Sequence, residues 1–452
     1  MQKRPSNMSL PSLQIITRGC SKNRVDSEHI LAQVADRFEL VPEDSVTDEY
    51  VDTVLINTCG FIGDAKEESV NTIMEVVGRK NEGNVGRIVV FGCLSQRYAS
   101  ELPELIPEVD VWLGARDMNE VVRALGVSPD PRKSNSRVIT EGGSYAYLKI
   151  SEGCDRRCSY CAIPYIRGAH KSVPMEDIVA EARELAAKGV RELVIIAQDT
   201  TYYGLDLYGK RCLGELLQRL SEIQGIEWLR IHYSYPDSFP DDVLDIMASN
   251  PKVCRYLDIP LQHISDTVLS NMHRNIDGRQ TRALIARMRE KVPGVVLRTT
   301  LIVGHPGEGT REFRELMDFV EDARFERLGA FTYSEEEGTW GAKHLKDSVR
   351  PSTKRRRYDE LMELQRRISS DFNLSRVGKT EKVLVDAWFG EQKILVCRSE
   401  FESPDVDGEI LVKYDPAVHA GIDPASLIGK FINVAIAAAD DYDLAADFIS
   451  LC

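Results

Sequence analysis

YAYLKISEGCDRRCSYC, residues 145–161, sets an alternating apolar run directly against three closely spaced cysteines. The run has the period of a β-strand, and Cys154, Cys158 and Cys161 follow its carboxyl end. Five more apolar runs come after it, ELVIIA, EWLRIHY, YLDIPL, VVLRTTLIV and LGAFTY, with helical patterns in the gaps. Strands alternating with helices specify a parallel sheet, so six βα repeats predict a partial (β/α)6 barrel, shorter than the eight-stranded form. Catalytic groups of such barrels gather at the carboxyl ends of the strands, which is where the triplet lies.

Upstream, LQIIT, VDTVLINT and RIVVFG alternate with DSEHILAQVADRF and AKEESVNTIMEVV, a second parallel α/β pattern assigned to residues 11–127. SPDPRKSNSR, rich in Pro, Ser and charge with no apolar period, marks a linker at 128–139. The barrel domain then occupies 140–374 and ends in STKRRRYDELMELQRRISSDF, a charged helix whose KRRR at 354–357 is expected to be a solvated face. EKVLVDAWF, KILVCRS, GEILVKY and KFINVAIAAA predict a small antiparallel β-barrel over 377–446.

The 452 residues contain no apolar stretch approaching the roughly 20 needed to span a bilayer, and the first residues lack the apolar core of a signal peptide. A cytoplasmic location without membrane partners is expected. Ten cysteines there are poor candidates for a disulfide framework and better ones for metal or redox chemistry. The net charge of −14 argues against a large nucleic-acid surface.

Three thiolates in a C-x3-C-x2-C pattern suit a four-iron cluster with one iron open to an external ligand, and the spacing differs from the paired knuckles of structural zinc sites. Zinc stays as the alternative, since it shares the ligand chemistry. Cys20, Cys59 and Cys93 each follow an apolar run, in QIITRGC, LINTCG and VVFGC. Parallel sheets bind ligands at these strand ends, so the three thiols are expected to converge on a second cluster. The plainer reading is three small buried residues. Cys212, Cys254, Cys397 and Cys452 share no pattern and receive no role. His232, His263 and His305 fall near barrel strand ends, as do Gln198, Asp199 and the Gly304 turn, whose backbone would allow a ligand to approach closely.

The C-x3-C-x2-C motif, with Tyr160 before its last cysteine, resembles the radical S-adenosylmethionine superfamily. Preceded by three strand-end cysteines and followed by a small barrel, the chain resembles the methylthiotransferase family of that superfamily along almost its entire length. The resemblance implies that Cys154, Cys158 and Cys161 hold the radical 4Fe-4S cluster, with S-adenosylmethionine near Tyr160, Gln198, Asp199 and Gly304. It likewise implies that Cys20, Cys59 and Cys93 hold an auxiliary 4Fe-4S cluster, and that the terminal barrel is a TRAM domain. In such enzymes a deoxyadenosyl radical removes hydrogen from an unactivated carbon that then receives a methylthio group. GCSKNRVDSE, CSYCAIPYIRG, YLDIPLQHIS, RTTLIVGHPGE and FTYSEEEGT look like the branch that modifies an aspartate β-carbon of ribosomal protein S12, free or in the small subunit. An electron donor and a sulfur source are then further partners. Two positions depart from relatives, Ser172-Val173 where Ser-Arg is usual and Gly309 where Thr is common.

Residues 378–452 carry 14 Asp plus Glu against 6 Lys plus Arg, a net of −8. That sign suits a basic protein substrate better than tRNA, although acidity also serves solubility. The alternatives are methylthiolation of adenosine in tRNA, or a non-catalytic iron-sulfur electron carrier or ribosome-binding protein.

Overall fold

The computed structural model of the chain describes residues 10–43, 49–140, 142–416 and 421–452. It divides into two compact units, Met1–Thr140 with Ala162–Ala169, and Glu141–Cys161 with His170–Cys452.

The first unit is built on a five-stranded sheet in the order β2-β1-β3-β4-β5. Its strands are β1 (Ser12–Thr17), β2 (Glu39–Val41), β3 (Val51–Thr58), β4 (Val85–Gly92) and β5 (Val111–Trp112), and every pairing is parallel. A parallel strand in mid-sheet is covered on both faces, so it reads as a continuous apolar run rather than an alternation. In VDTVLINT of β3 the apolar run is only Val54–Ile56, but every residue except Asp52 is buried, as cover on both faces requires. Val54 and Ile56 pack under Ile73, Val76 and Val77 of α2 (Gly63–Asn81), while Leu55 packs on the other side with Ile30, Leu31 and Val34 of α1 (Ser21–Val34).

The segment read as a linker lies along α1. Asp130 and Gln33 exchange hydrogen bonds of 2.8 and 3.1 Å, and Val138 N donates to Glu28 O at 3.2 Å. Arg137, buried, forms an ion pair with Glu28. Its polar composition reflects specific partners, which local periodicity does not reveal.

The second unit opens with β6 (Tyr145–Lys149), followed by a small ribbon of β7 (Ser151–Glu152) and β8 (Lys171–Ser172). Next come β9 (Glu192–Ile196), β10 (Trp228–Ile231), β11 (Val253–Asp258), β12 (Val296–Val303) and β13 (Arg327–Thr332). With β6 these form a six-stranded parallel sheet whose neighbours follow chain order, the partial (β/α)6 barrel expected.

The last strands are β14 (Thr380–Phe389), β15 (Ile394–Arg398), β16 (Ile410–Lys413), β17 (Phe431–Ala439) and β18 (Leu444–Leu451), and they close into a barrel. Four pairings are antiparallel as expected, while β16 and β18 run parallel. A ring with an odd number of strands cannot alternate direction at every seam.

Two charge readings change. In the helix Pro351–Leu374, Lys354 and Arg357 are buried and donate to Tyr333 O at 2.8 Å and to Glu308 Oε1 at 2.7 Å. Only Arg355 and Arg356 face solvent, paired with Asp359 and Glu360 one turn on. Much of the acidity of the terminal barrel is also committed internally. Tyr145 and Tyr147 donate to Asp405, Tyr256 donates to Asp407 at 2.7 Å, Arg327 pairs with Glu402 and Arg398 with Asp386. Of these partners, Arg398 already counts toward the net of −8 and the tyrosines leave Asp405 and Asp407 charged, so only Arg327, from outside residues 378–452, offsets one of those charges. No described helix is long and apolar enough to cross a membrane.

Candidate functional site

In the first unit, β1, β3 and β4 are neighbours, and Cys20, Cys59 and Cys93 follow their carboxyl ends. Glycines let these ends crowd together. A Cβ on Gly19, whose φ is +96°, would lie 2.6 Å from Cys59 Cβ and 2.9 Å from Cys59 Sγ. A Cβ on Gly60 would lie 2.7 Å from the backbone N of Leu94, the residue after Cys93. Burial pushes the Cys59 thiol up to about 12, and the nearby charges of Cys20 and Cys93 add to the rise. Burial raises Cys93 as well, against the pull of Arg167. Cys59 and Cys93 are therefore buried at the sheet end, and Cys20, close enough for its charge to act on both, is exposed.

Asn23 and Asn57 brace that corner. Asn23 Nδ2 donates to Arg18 O at 2.8 Å and Thr58 O at 3.2 Å, and Asn57 Nδ2 donates to Asn23 O at 2.8 Å. Arg167, from the segment Ala162–Ala169, donates through Nε to Cys93 Sγ at 3.2 Å. Motif spacing does not single out this arginine.

In the second unit, the loop after β7 carries Cys154, Cys158 and Cys161, all partly exposed. Gly153 and Arg157, with φ of +77° and +52°, curl it, and Cys161 N donates to Cys158 O at 3.1 Å. Ser159 clamps it through N to Met272 O at 3.0 Å and through Oγ to Asn271 O at 2.6 Å, while Gly341 N donates to Ser159 O at 2.7 Å. Burial pushes the Cys154 thiol up to about 11.

Around this loop stand Arg156, Arg274 and Tyr235, which the sequence did not single out, beside Tyr160 and His305, which it did. The Arg156 and Arg274 guanidiniums cover the Tyr235 ring at 4.0 and 4.1 Å, and Arg274 Nη1 points at Cys158 Sγ from 3.8 Å. Tyr160 meets the His305 ring edge-on at 6.4 Å. His305 is fully buried, and that burial lowers its pKa to about 4, so it is neutral near pH 7.

The remaining expected positions divide. Gln198 Nε2 donates to Glu152 Oε1 at 2.6 Å, which leaves Gln198 Oε1 without a partner among the described residues. Asp199 is committed to Arg156 Nε at 2.7 Å and to Thr201 N at 2.9 Å, where it caps a short helical turn. At Gly304 the space a Cβ would take is filled by the Lys354 stem, 2.4 Å away, and this close approach accounts for the glycine. His232 shares a hydrogen bond of 2.7 Å with Ser403 Oγ, and His263 lies 3.3 Å from Glu308. Ser172 donates to Asp206 at 2.6 Å, and Gly309 begins the helix Thr310–Ala323. Cys212, Cys254 and Cys397 are buried.

Among the described residues, no three His, Cys, Asp or Glu side chains stand close enough together to hold a single metal ion. An iron-sulfur cluster spreads its thiolates over separate irons, so it does not ask for that convergence. The donor sets fit such a group, with three thiols at each position and the Gly19 and Gly60 approaches keeping one of them compact. Arg156 Nη2, Gln198 Oε1 and His305 Nε2 are buried without partners among the described residues, and polar atoms left so are suited to a polar ligand.

Residues 148–320 match the Radical SAM superfamily, residues 377–449 the TRAM domain, and residues 12–114 a family described as Uncharacterized protein family UPF0004. A solved radical S-adenosylmethionine methyltransferase, TsrM from Kitasatospora setae, shares the fold with a TM-score of 0.54 at 13% identity, covering 72% of each chain. The ribosomal protein uS12 methylthiotransferase RimO of Phocaeicola vulgatus is 47% identical over 98% of this chain and 100% of its own. The RimO of Porphyromonas gingivalis is 49% identical over 97% of this chain and 99% of its own. Likeness at that level along nearly the full length of both chains means that this protein belongs to the uS12 methylthiotransferase family of radical S-adenosylmethionine enzymes.

Proposed function

We propose that the protein replaces a hydrogen on the β-carbon of an aspartate in ribosomal protein uS12 with a methylthio group. The observation that carries this reading is the presence of two separate cysteine triads, one at the carboxyl ends of β1, β3 and β4 and one in the loop after β7, in a chain nearly half identical to named uS12 methylthiotransferases. Cys154, Cys158 and Cys161 would hold the 4Fe-4S cluster at which S-adenosylmethionine binds, and Cys20, Cys59 and Cys93 would hold the auxiliary cluster that serves sulfur transfer. Bound by Cys154, Cys158 and Cys161, a cluster with one open iron would supply the electron for cleavage of a carbon-sulfur bond of S-adenosylmethionine.

The chain's own residues orient and seal. Ser159 and Gly341 fix the cysteine loop, and Arg274 holds a positive charge toward Cys158. Tyr160, Gln198 and His305 offer ring and polar contacts to the cosubstrate, while Asp199 acts through Arg156, which it orients. The modules are residues 11–127, 140–374 and 377–446, with 128–139 joining the first two. The protein works in the cytoplasm with an electron donor and a sulfur source.

The test is mass spectrometry of uS12 peptides and tRNA digests after anaerobic incubation of reconstituted protein with S-adenosylmethionine, sulfide and reductant. A methylthio gain on a uS12 aspartate is expected. The same gain on tRNA would overturn the substrate and keep the chemistry, and deoxyadenosine release without either would leave the substrate elsewhere.

A further inference from the structure

Arg167 ends the helix Ile163–Arg167, inside the segment that folds with the first unit. Its side chain is 2% exposed and reaches three ways. Nε donates to Cys93 Sγ at 3.2 Å, Nη1 to Asp26 Oδ2 at 2.8 Å and Nη2 to Asn23 Oδ1 at 2.6 Å. Asn23 and Asp26 both lie on α1, one turn apart, so they grip one edge of the planar guanidinium and aim the other at sulfur. Asn23 is itself held by Arg18 O and Thr58 O at the strand ends.

The geometry points to Arg167 as a positioning residue that keeps a cationic N–H on the Cys93 sulfur and thereby raises the reduction potential of the auxiliary cluster. The inference rests on the assignment of Cys20, Cys59 and Cys93 to that cluster. Reduction adds one negative charge to a cluster, and a hydrogen bond or positive charge at a ligand sulfur favours the more negative state. In a buried setting that charge is weakly screened, and a charged donor is stronger than a neutral one. Asp26 works the other way, because its carboxylate offsets part of the guanidinium charge. The two residues therefore push the potential in opposite directions.

The test uses the full-length chain with Cys154, Cys158 and Cys161 replaced by Ala, reconstituted anaerobically so that the first unit supplies the only cluster. Its midpoint potential is read by redox titration followed by electron paramagnetic resonance. Arg167→Gln is expected to lower the potential so that reduction is disfavoured about tenfold, which is about 59 mV for one electron. Asp26→Asn is expected to raise it, and the double substitution, which removes both charges, to fall between the two. A role confined to folding would not produce shifts of opposite sign. Shifts of the same sign, or none, in variants that still bind iron would overturn the proposal. If Arg167→Gln fails to hold a cluster, Asp26→Asn decides alone, and an unchanged or lowered potential there refutes the inference. Absence of any cluster in the starting triple variant would instead bring down the cluster assignment itself, and this inference with it.

Discussion

Replacing Glu402 with Gln removes one charge from a place where two arginines depend on it. Glu402 is 1% exposed on the connection between β15 and β16. It accepts from Arg327 Nη2 at 2.8 Å, from Arg376 Nη1, from Ser399 N at 3.0 Å and from Ser399 Oγ at 2.7 Å. Arg327 begins β13 and is 6% exposed, while Arg376 follows the helix Pro351–Leu374 and is 2% exposed. One carboxylate thus ties the terminal barrel to the six-stranded sheet. Breaking a buried pair by removing one partner costs about 3–5 kcal/mol, because the other charge stays buried without compensation. Arg376 keeps Glu381 at 2.7 Å, so Arg327 suffers most, and a loss of about 3–4 kcal/mol is expected. Urea unfolding followed by tryptophan fluorescence is a suitable assay, because Trp228 of β10 packs edge-on against Phe431 of β17 at 4.7 Å and reports on that seam. Adding Arg327→Met to Glu402→Gln should recover part of the loss, since contacting residues are not additive. A loss below about 1 kcal/mol, the scale of an exposed pair, would refute the reasoning by showing that water reaches these groups.

The same carboxylate predicts a pH dependence. Burial alone would raise the pKa of Glu402, but Arg376 and Arg327 reverse this and hold it below the usual carboxylate range, and Glu192 is lowered in the same way by Arg230 and Arg398. Both pKa values are lower in the folded state, so their stabilisation is fully present above about pH 4.3, the unfolded glutamate value, and is lost as pH falls below it. Acid unfolding curves should therefore be shallower for Glu402→Gln, and an unchanged curve counts against the pairing. Gly60→Ala should lose the iron of the first unit, because the new Cβ meets Leu94 backbone at 2.7 Å, whereas Gly78→Ala, with open space around it, should retain iron. Equal iron content in the two variants would contradict the crowding. Finally, Cys158→Ala should abolish S-adenosylmethionine cleavage, while Cys59→Ala should preserve cleavage, measured as deoxyadenosine release, and stop methylthio transfer. Equal loss of cleavage in both would refute the division of labour between the triads.

The parallel sheets and the strand-end positions of both cysteine triads were legible in the sequence because they rest on local regularities. VDTVLINT followed by Cys59, or YAYLKI followed by Cys154, states a strand and its end within a few residues. The family resemblance drew on the same contiguous stretches. Charge is less legible, because whether a charged side chain meets water depends on which distant residue faces it. KRRR reads as solvated by composition, yet Lys354 and Arg357 turn inward at a spacing of one helical turn. The acidic terminal barrel reads as a field for a basic partner, yet Asp386, Glu402, Asp405 and Asp407 bind donors within the same unit.

The tertiary structure alone decided the surroundings of the sulfurs and the seam beneath the barrel. Arg167 reaches a cysteine 74 positions away, and Arg398 reaches Glu192 across 206. By itself the sequence determined which strands form, the parallel order they favour and which thiols stand at their ends, since periodicity and spacing act over a few residues. Pairing a buried charge requires two remote segments to cross at a particular place, and no local pattern encodes that crossing.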